Sequence, residues 1–515
     1  MNDPCGMVFH KGQYHLYFQF NPDGLAWVRN ISWGHAVSRD LVHWETLPVA
    51  LTAPPPDFGY GTFTGSIVVD KHNSSGFCQS RDPADPSCLV ALFTKQVEFS
   101  PTSKVQHQNM AWSNDDGETW SYYANNPVID LKLDSFRDPK VFWFEPTQQW
   151  IMLVGVPKQF KIAFYSSTNL IDWTPISDFG THGADGLVEW ECPDMFQLPV
   201  NGNPDDVRWV LKVDMTLNNF GGSIGGRYFI GTFDGREFKP DFDIVDATNP
   251  WPEHGRDFLC SLAFEGAKDA RARPIWLAWL NNWIYADRMP AMSFRGSASM
   301  PRTIELRSAP TGLSLVQTPW PGFDELVNSR RVYRSPAAQL AGLNAELERD
   351  ADRFKACILD VVLCPASGAP ADATMGLQIF HYPYHQEMLA ADIRYSIANQ
   401  TLTFQRGPYG IYELEHPMVK HYPATSRPTP VPLEEGELRL KIYIDFSSVE
   451  IFSADGRVGL SYVLLTDHDV KVPAVAASPG ALEEVHIRAA SLAPVFIPDQ
   501  APRQGLQRRR RPTPH

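Results

Sequence analysis

The sequence predicts an all-β protein, a β-propeller followed by a β-sandwich. Two observations carry that reading: a strand-and-turn pattern recurring along the first half, and a change of texture near residue 317 into a second set of short alternating strands. Composition agrees. Aromatic residues make up 12% of the 515 residues, with 43 Pro and 35 Gly scattered between short apolar runs, which suits many strands joined by many turns.

The recurring pattern appears when apolar runs are aligned on the turn that follows them. "ISWGHAVSRDLVHW", "NMAWSNDDGETW", "KIAFYSSTNLIDW" and "RYFIGTFDGREF" each give a strand, a Ser or Thr, a polar turn with Asp or Asn, and then an aromatic residue: Trp44, Trp120, Trp173 and Phe238. A hairpin with an aromatic cross-strand pair explains one copy, but four copies at sheet-sized intervals point to radial repetition of four-stranded sheets. A second pattern lies between these anchors. "NDPCGMVFHKGQYHLYFQF", "RDPKVFWFEPTQQWIMLVGV" and "ECPDMFQLPV" each set an acid and a proline at the entrance of a strand, at matching positions of successive units. First strands of propeller sheets line the central channel, so these acids are expected to converge there.

The propeller is assigned to residues 1–317. "PWPGFDELVNSRRVY" reads as a linker over 318–331 with a short helical stretch. From 332 to 496, "ACILDVVLCP", "MGLQIFHYP", "TLTFQRG" and "LRLKIYIDFSSVEIFSADGRVGLSYVLLT" alternate as strands with no helices, the texture of a sandwich. The basic, nearly apolar-free tail 497–515 is expected to be disordered.

A net charge of −14 argues against nucleic acid or an anionic membrane as partner, because phosphate is held by Lys and Arg. No apolar run reaches the ~18 residues of a membrane helix, and the first residues show no signal region. Seven cysteines are too sparse and irregular for a disulfide scaffold or a zinc site; Cys78 and Cys88 flank one loop and suit a pair or two free thiols equally. Sequons at Asn30, Asn73 and Asn399 barely favour secretion.

The acids carry the chemistry. Asp3 in "NDP", Asp138 in "FRDP" and Glu191 in "EWECPD" are each ordinary alone, since Asp-Pro commonly opens a turn. One per unit, they suit glycosidic cleavage, in which one carboxyl protonates the leaving oxygen and another attacks or supports the sugar carbon. Arg137 is expected to keep Asp138 ionised, and desolvation between Trp190 and Cys192 to keep Glu191 protonated. From the residues alone Glu189 or Asp194 serves as well as Glu191, and Asp134 as well as Asp138.

"MNDPCG", "QFNP", "ISWGHAVSRDLVHW", "FTGS", "FRDP", "WECPD" and "NNW", in this order, resemble glycoside hydrolase family 32, the invertases, inulinases and levanases, over residues 1 to 490. The resemblance implies a five-bladed propeller with a sandwich behind it, a retaining mechanism on sucrose, inulin or levan, secretion, and no metal or cofactor. It implies Asp3 as nucleophile, Glu191 as acid and base, and Asp138 as transition-state stabiliser beside Arg137. Asn2, Gln19, Trp27, Phe63, Thr64 and Trp283 would line the fructose pocket, with Asp257 a further acidic contact. Cys5 and Thr64 depart from the family's usual "NDPNG" and "FSGS". The Trp and strand that precede the motif in the family are missing, so the resemblance also implies a chain truncated at its N-terminus. Oligomeric state is unknown.

Other signals are set aside. His381 and His385 with Glu387 are spaced like a metal pair, but Pro383 and flanking strands argue for a loop; "GGSIGG" at 221–226 leads into a strand, so it reads as a turn and not a phosphate cradle. The rivals are a fructosyltransferase on the same scaffold, an inverting arabinanase or xylosidase, and a catalytically impaired sugar-binding fragment.

Overall fold

A computed structural model describes residues 1–495 apart from 28–29, 53–59, 80–84, 101, 181–188, 217–224, 242–250, 290–293, 310–311, 382–388, 408–424 and 465–469. The tail 497–515, His385, Glu387 and the first four residues of "GGSIGG" lie outside the described residues.

Five antiparallel sheets follow one another along the chain. Blade I is β1 (Pro4–His10), β2 (Gln13–Phe20), β3 (Ser32–Ser38) and β4 (Trp44–Leu51). Blade II is β5 (Tyr60–Asp70), β6 (Cys88–Ser100), β7 (Ser103–Ser113) and β8 (Ser121–Tyr122); blade III is β9 (Arg137–Phe144), β10 (Gln149–Val156), β11 (Lys161–Ser167) and β12 (Thr174–Gly180). Blade IV is β13 (Glu189–Val200), β14 (Asn203–Thr216), β15 (Gly225–Phe233) and β16 (Phe238–Pro240). Blade V holds β17 (Leu259–Lys268), β18 (Pro274–Leu280), the short β19 (Ser297–Ala298), β20 (Arg302–Ala309) and β21 (Gly312–Pro319). The first strands neighbour one another in order, and β17 lies beside β1 as well as β13. This is the five-bladed propeller that the resemblance implies.

Alternation along each strand divides its side chains between two neighbours. Val141 packs into the core shared by blades II and III, whereas Phe142 packs into the core shared by III and IV. Further cores join IV to V, I to II, and I to V, the last with Met7 and Leu16 against Leu262 and Ile275. Strands buried on both faces explain why the chain reads as continuous apolar runs.

The repeated Trp motif is the turn between third and fourth strands. The Asp40 carboxylate accepts the Val42 and His43 N–H groups at 2.8 Å, Asn169 Oδ1 accepts Ile171 and Asp172 at 3.0 and 2.8 Å, and Asp234 repeats the arrangement in blade IV. Trp44, Trp120 and Trp173 close it by donating their indole N–H to the carbonyls of Leu41, Gly117 and Leu170. Blade V carries no such sequence.

All five first strands are bulged at one register, three residues spanning two on the partner: Cys5–Val8, Thr62–Gly65, Arg137–Lys140, Glu191–Asp194 and Leu259–Leu262. Gly6, Asp138, Cys192 and Cys260 take the left-handed backbone there, with φ of 48°, 67°, 45° and 52°. Pro139 and Pro193 fall within two of the bulges, where a ladder donor is dispensable.

A 3₁₀ segment, Pro321–Leu326, leads into the strand Val327–Pro336, which belongs to a six-stranded sheet facing a five-stranded one. Their inner faces meet in one core, including Leu359, Val361, Ile379, Ile393, Ile442 and Ile487. The expectation of no helix here is corrected: Leu340–Arg349 is α-helical, because Leu343 and Leu347, four apart, bury against that core.

Candidate active site

The three acids meet at the bulged end of the first strands, though not at matching register positions. Asp3 precedes β1, Asp138 is the bulge residue of β9, and Glu191 is the residue before the bulge in β13. A bulge re-aims side chains, and the three carboxyls reach one another's electrostatic field from different levels.

Asp3 is held by backbone and side chain. The Gln19 N–H donates to its carbonyl, and the Asn2 N–H donates to the Gln19 carbonyl, both at 3.0 Å, so the ladder extends through Asp3. Its Oδ2 accepts the Thr64 hydroxyl at 2.8 Å and Gln19 Nε2 at 3.3 Å, and Gln19 Nε2 also reaches Thr64 Oγ1 at 2.5 Å. The Asn2 and Gln19 amide groups lie 3.0 Å apart. Asp3 Oδ1 is buried with no hydrogen-bond partner among the described residues. Burial first, then the Glu191 charge, pushes the Asp3 carboxyl up to about 7, against the Thr64 hydrogen bond. Cys5 in place of the family's Asn is buried, its thiol 3.4 Å from the Asp3 carbonyl.

The Arg137 charge lowers the Asp138 carboxyl as the sequence suggests, but its hydrogen bonds go elsewhere. Its guanidinium donates to Glu191 Oε2 from Nε at 3.0 Å and from Nη2 at 2.8 Å, reaches Glu189 at 3.1 Å, and stands 3.8 Å from Asp138. Asp138 instead accepts the Cys192 N–H at 3.0 Å, and burial raises its carboxyl even with Arg137 opposing. The fork geometry matches two N–H groups to one carboxylate oxygen of Glu191, which adjacency along the chain does not reveal. Three carboxylates thus share one guanidinium with Asp3 beside them, and burial together with the Glu191 charge raises the Asp3 and Asp138 carboxyls.

The alternatives separate cleanly. Asp134 is an exposed partner of Lys158. Asp194 is fully buried, 3.0 Å from Lys140 and accepting the N–H groups of Met195 and Ala263 at 2.9 and 2.6 Å. Glu189 meets the cluster through Arg137 Nη2. Among these acids, Glu191 is the one whose charge acts on both Asp3 and Asp138.

Trp27, Phe63 and Trp283 form an aromatic wall: ring centroids are 5.4 Å apart from Trp27 to Phe63 and 5.4 Å from Trp27 to Trp283. Trp27 is 38% exposed, which leaves a face for a ligand. Asp257 stands apart from the cluster. Its carboxylate accepts Arg406 Nη1 at 3.0 Å, the Val463 N–H at 2.7 Å and the Tyr285 hydroxyl, all at the contact between propeller and sandwich.

Two features escaped the sequence reading. Cys78 and Cys88 pair, one of the two readings left open, but Cys192 and Cys260 also pair, 68 residues apart and across two blades. Lys212, fully buried, donates to the Ser261 carbonyl at 2.9 Å, to the Cys192 carbonyl at 3.5 Å and to Asp214, fastening the same two bulges from beneath. A cysteine on each of two aligned bulges was the only available signal.

Residues 1–319 match the glycosyl hydrolases family 32 N-terminal domain, and residues 330–487 match the family's C-terminal domain. The chain is 35% identical over 478 residues to a levanase of Bacillus subtilis, covering 92% of this chain and 65% of the levanase. It is 33% identical over 516 residues to the extracellular exo-inulinase of Aspergillus niger, covering 95% of this chain and 91% of that enzyme. The crystal structure of an exo-inulinase from Aspergillus awamori superposes with a TM-score of 0.81 at 29% identity, over 96% of each chain. With both domains matched and the acidic motifs gathered at one end of the propeller, this chain belongs to glycosyl hydrolase family 32.

Proposed function

We propose that the protein releases terminal β-fructofuranosyl units from levan, inulin or sucrose, with retention at the anomeric carbon. The observation that carries this is Asp3: one oxygen is fixed by Thr64 and Gln19, and the other is buried without a donor among the described residues, beside two further carboxyls. A nucleophile needs an oriented carboxylate with a free lone pair. Oδ1 attacks C2 of the fructosyl unit while Glu191 gives its proton to the leaving oxygen, and the C2–O bond breaks to leave a fructosyl ester on Asp3. Glu191 then takes a proton from water, which attacks C2 and restores the Asp3 carboxylate. Asp138 accepts hydroxyl hydrogens of the sugar as its ring flattens, and Arg137 positions Glu191. Trp27, Phe63 and Trp283 supply the apolar wall, while Asn2, Gln19 and Thr64 supply polar partners. The scheme invokes no metal or cofactor. Similarity to a levanase and an extracellular exo-inulinase supports the fructan substrate and a secreted location.

The test is product analysis on sucrose, inulin and levan, with NMR of the fresh product. Fructose released in its β-anomer is expected. Accumulating kestose-like oligomers at high sucrose would assign a transferase, and an inverted product would exclude the fructosyl ester. Binding of fructan without release would leave a sugar-binding protein.

A further inference from the structure

The Cys192–Cys260 disulfide lies on the floor of the acidic cluster. Both cysteines are bulge residues, both are buried, and the Cys192 sulfur lies 3.5 Å from Asp138 Oδ2. A carboxylate oxygen of Asp3 and both sulfurs lie within 4.8 Å of one another. As a disulfide the sulfurs are weak ligands. As a pair of thiolates beside a carboxylate they become a sulfur–sulfur–oxygen donor set, which suits a borderline-soft divalent cation at bonds of about 2.3 Å to sulfur and about 2.0–2.2 Å to oxygen.

We propose that the Cys192–Cys260 pair, when reduced, forms with Asp3 a site for zinc or cadmium that silences the enzyme by occupying the nucleophile. Opening it takes one dithiol reductant: the S–S bond breaks, two electrons and two protons pass to Cys192 and Cys260, and the reductant leaves as its own disulfide. The cation then displaces both thiol protons and binds both sulfurs and the Asp3 carboxylate, so capture weakens as pH falls. The other disulfide shows why the carboxylate matters. An oxygen of Asp70 likewise lies within 4.8 Å of the Cys78 and Cys88 sulfurs, but its two oxygens accept the N–H and hydroxyl groups of Ser74 and Ser75 at 2.7 to 2.9 Å. Asp3 has an oxygen without a donor among the described residues. The cation site stands on this geometry alone, whereas its inhibitory effect rests on Asp3 being the nucleophile proposed above.

The experiment compares the full chain, oxidised or reduced with dithiothreitol and desalted under argon, during titration with cadmium chloride. Thiol counting, cadmium–thiolate charge-transfer absorption and fructose release are read together. Reduction is expected to expose the Cys192 and Cys260 thiols in the folded protein, and one cadmium per chain then brings the absorption and a loss of activity of about tenfold or more, reversed by EDTA. The oxidised protein, with Cys5, Cys357 and Cys364 free, shows neither change. Cys260→Ala removes the absorption after reduction, and Cys260→Ser repeats the test if that variant folds poorly; Cys78→Ser with Cys88→Ser keeps it. A pair that stays closed in the folded protein, thiols that take up no cadmium, or cadmium bound with fructose release unchanged each overturns the proposal. Absorption appearing on a chain inactive in every form would instead count against the hydrolase reading alone.

Discussion

Two buried ionic clusters in this molecule are built to opposite ends. At the contact between propeller and sandwich, Arg302 donates to Glu253 and Glu450, both at 2.6 Å, and Arg406 donates to Asp257. Every carboxylate oxygen there has a donor: Glu253 also takes the Gly255 and Ser461 N–H groups, Glu450 the Met300 N–H, and Asp257 the Val463 N–H and Tyr285 hydroxyl. Phe258 and Phe452 sandwich the Arg302 guanidinium at 4.2 and 4.7 Å. At the bulged end of the channel one guanidinium serves three carboxylates, and an oxygen of the neighbouring Asp3 has no partner among the described residues. The first arrangement satisfies buried charge to join two domains. The second leaves charge unsatisfied where a substrate is to arrive, as sites that do chemistry require.

The largest effect should come from Asp3→Asn, with a loss of about 10⁴-fold or more in kcat on sucrose. The same variant should melt higher than the native chain at about pH 8. The sign follows from the raised pKa: the folded Asp3 binds its proton more tightly than the unfolded one, so its contribution to stability is present below the usual carboxylate pKa and is lost as pH rises from about 4 through about 7. Melting temperatures across that window should fall for the native protein and fall less steeply for Asp3→Asn, in which Asp138 still titrates; equal slopes would remove the contrast between the clusters.

Glu191→Gln should lose about 10²–10⁴-fold in kcat, with a smaller loss on a fructoside whose leaving group needs no proton. Equal losses on both substrates would deny Glu191 the acid role. Arg302→Ala attacks the other cluster. It strands Glu253 and Glu450 and should cost about 3–5 kcal/mol in denaturant unfolding, while turnover per folded molecule holds. A cost near zero would show the domain contact to be less coupled than its hydrogen bonds suggest. Trp27→Ala is the mildest: its half-open face should contribute about 1 kcal/mol to ground-state binding, seen as a several-fold rise in KM at nearly unchanged kcat.

Much of this was legible before the structure. The Asp40, Asn169 and Asp234 turns are local, each closing within a few residues, so their sequence pattern survives in the chain and marks the blades. Asp3, Asp138 and Glu191 stand out for the same reason, each in a short motif with proline. Asp257, in "GRDF", is offered only by the resemblance; its partners Arg406 and Val463 come from the other domain, and no local signal shows that its carboxylate is already taken. Arg137 adjoins Asp138 in sequence but grips Glu191, because the bulge turns neighbouring side chains to different sides of the strand.

The sequence by itself determined the strand periodicity and the turns between third and fourth strands, and narrowed the acids to a short set of candidates, since these depend on interactions among residues close in the chain. Only the tertiary structure decided the rest: that all five first strands carry a bulge, that Cys192 meets Cys260, and that one Asp3 oxygen is held while the other has no partner among the described residues. Those outcomes depend on the arrangement of strands from different blades around one axis, and residue order does not encode that distance.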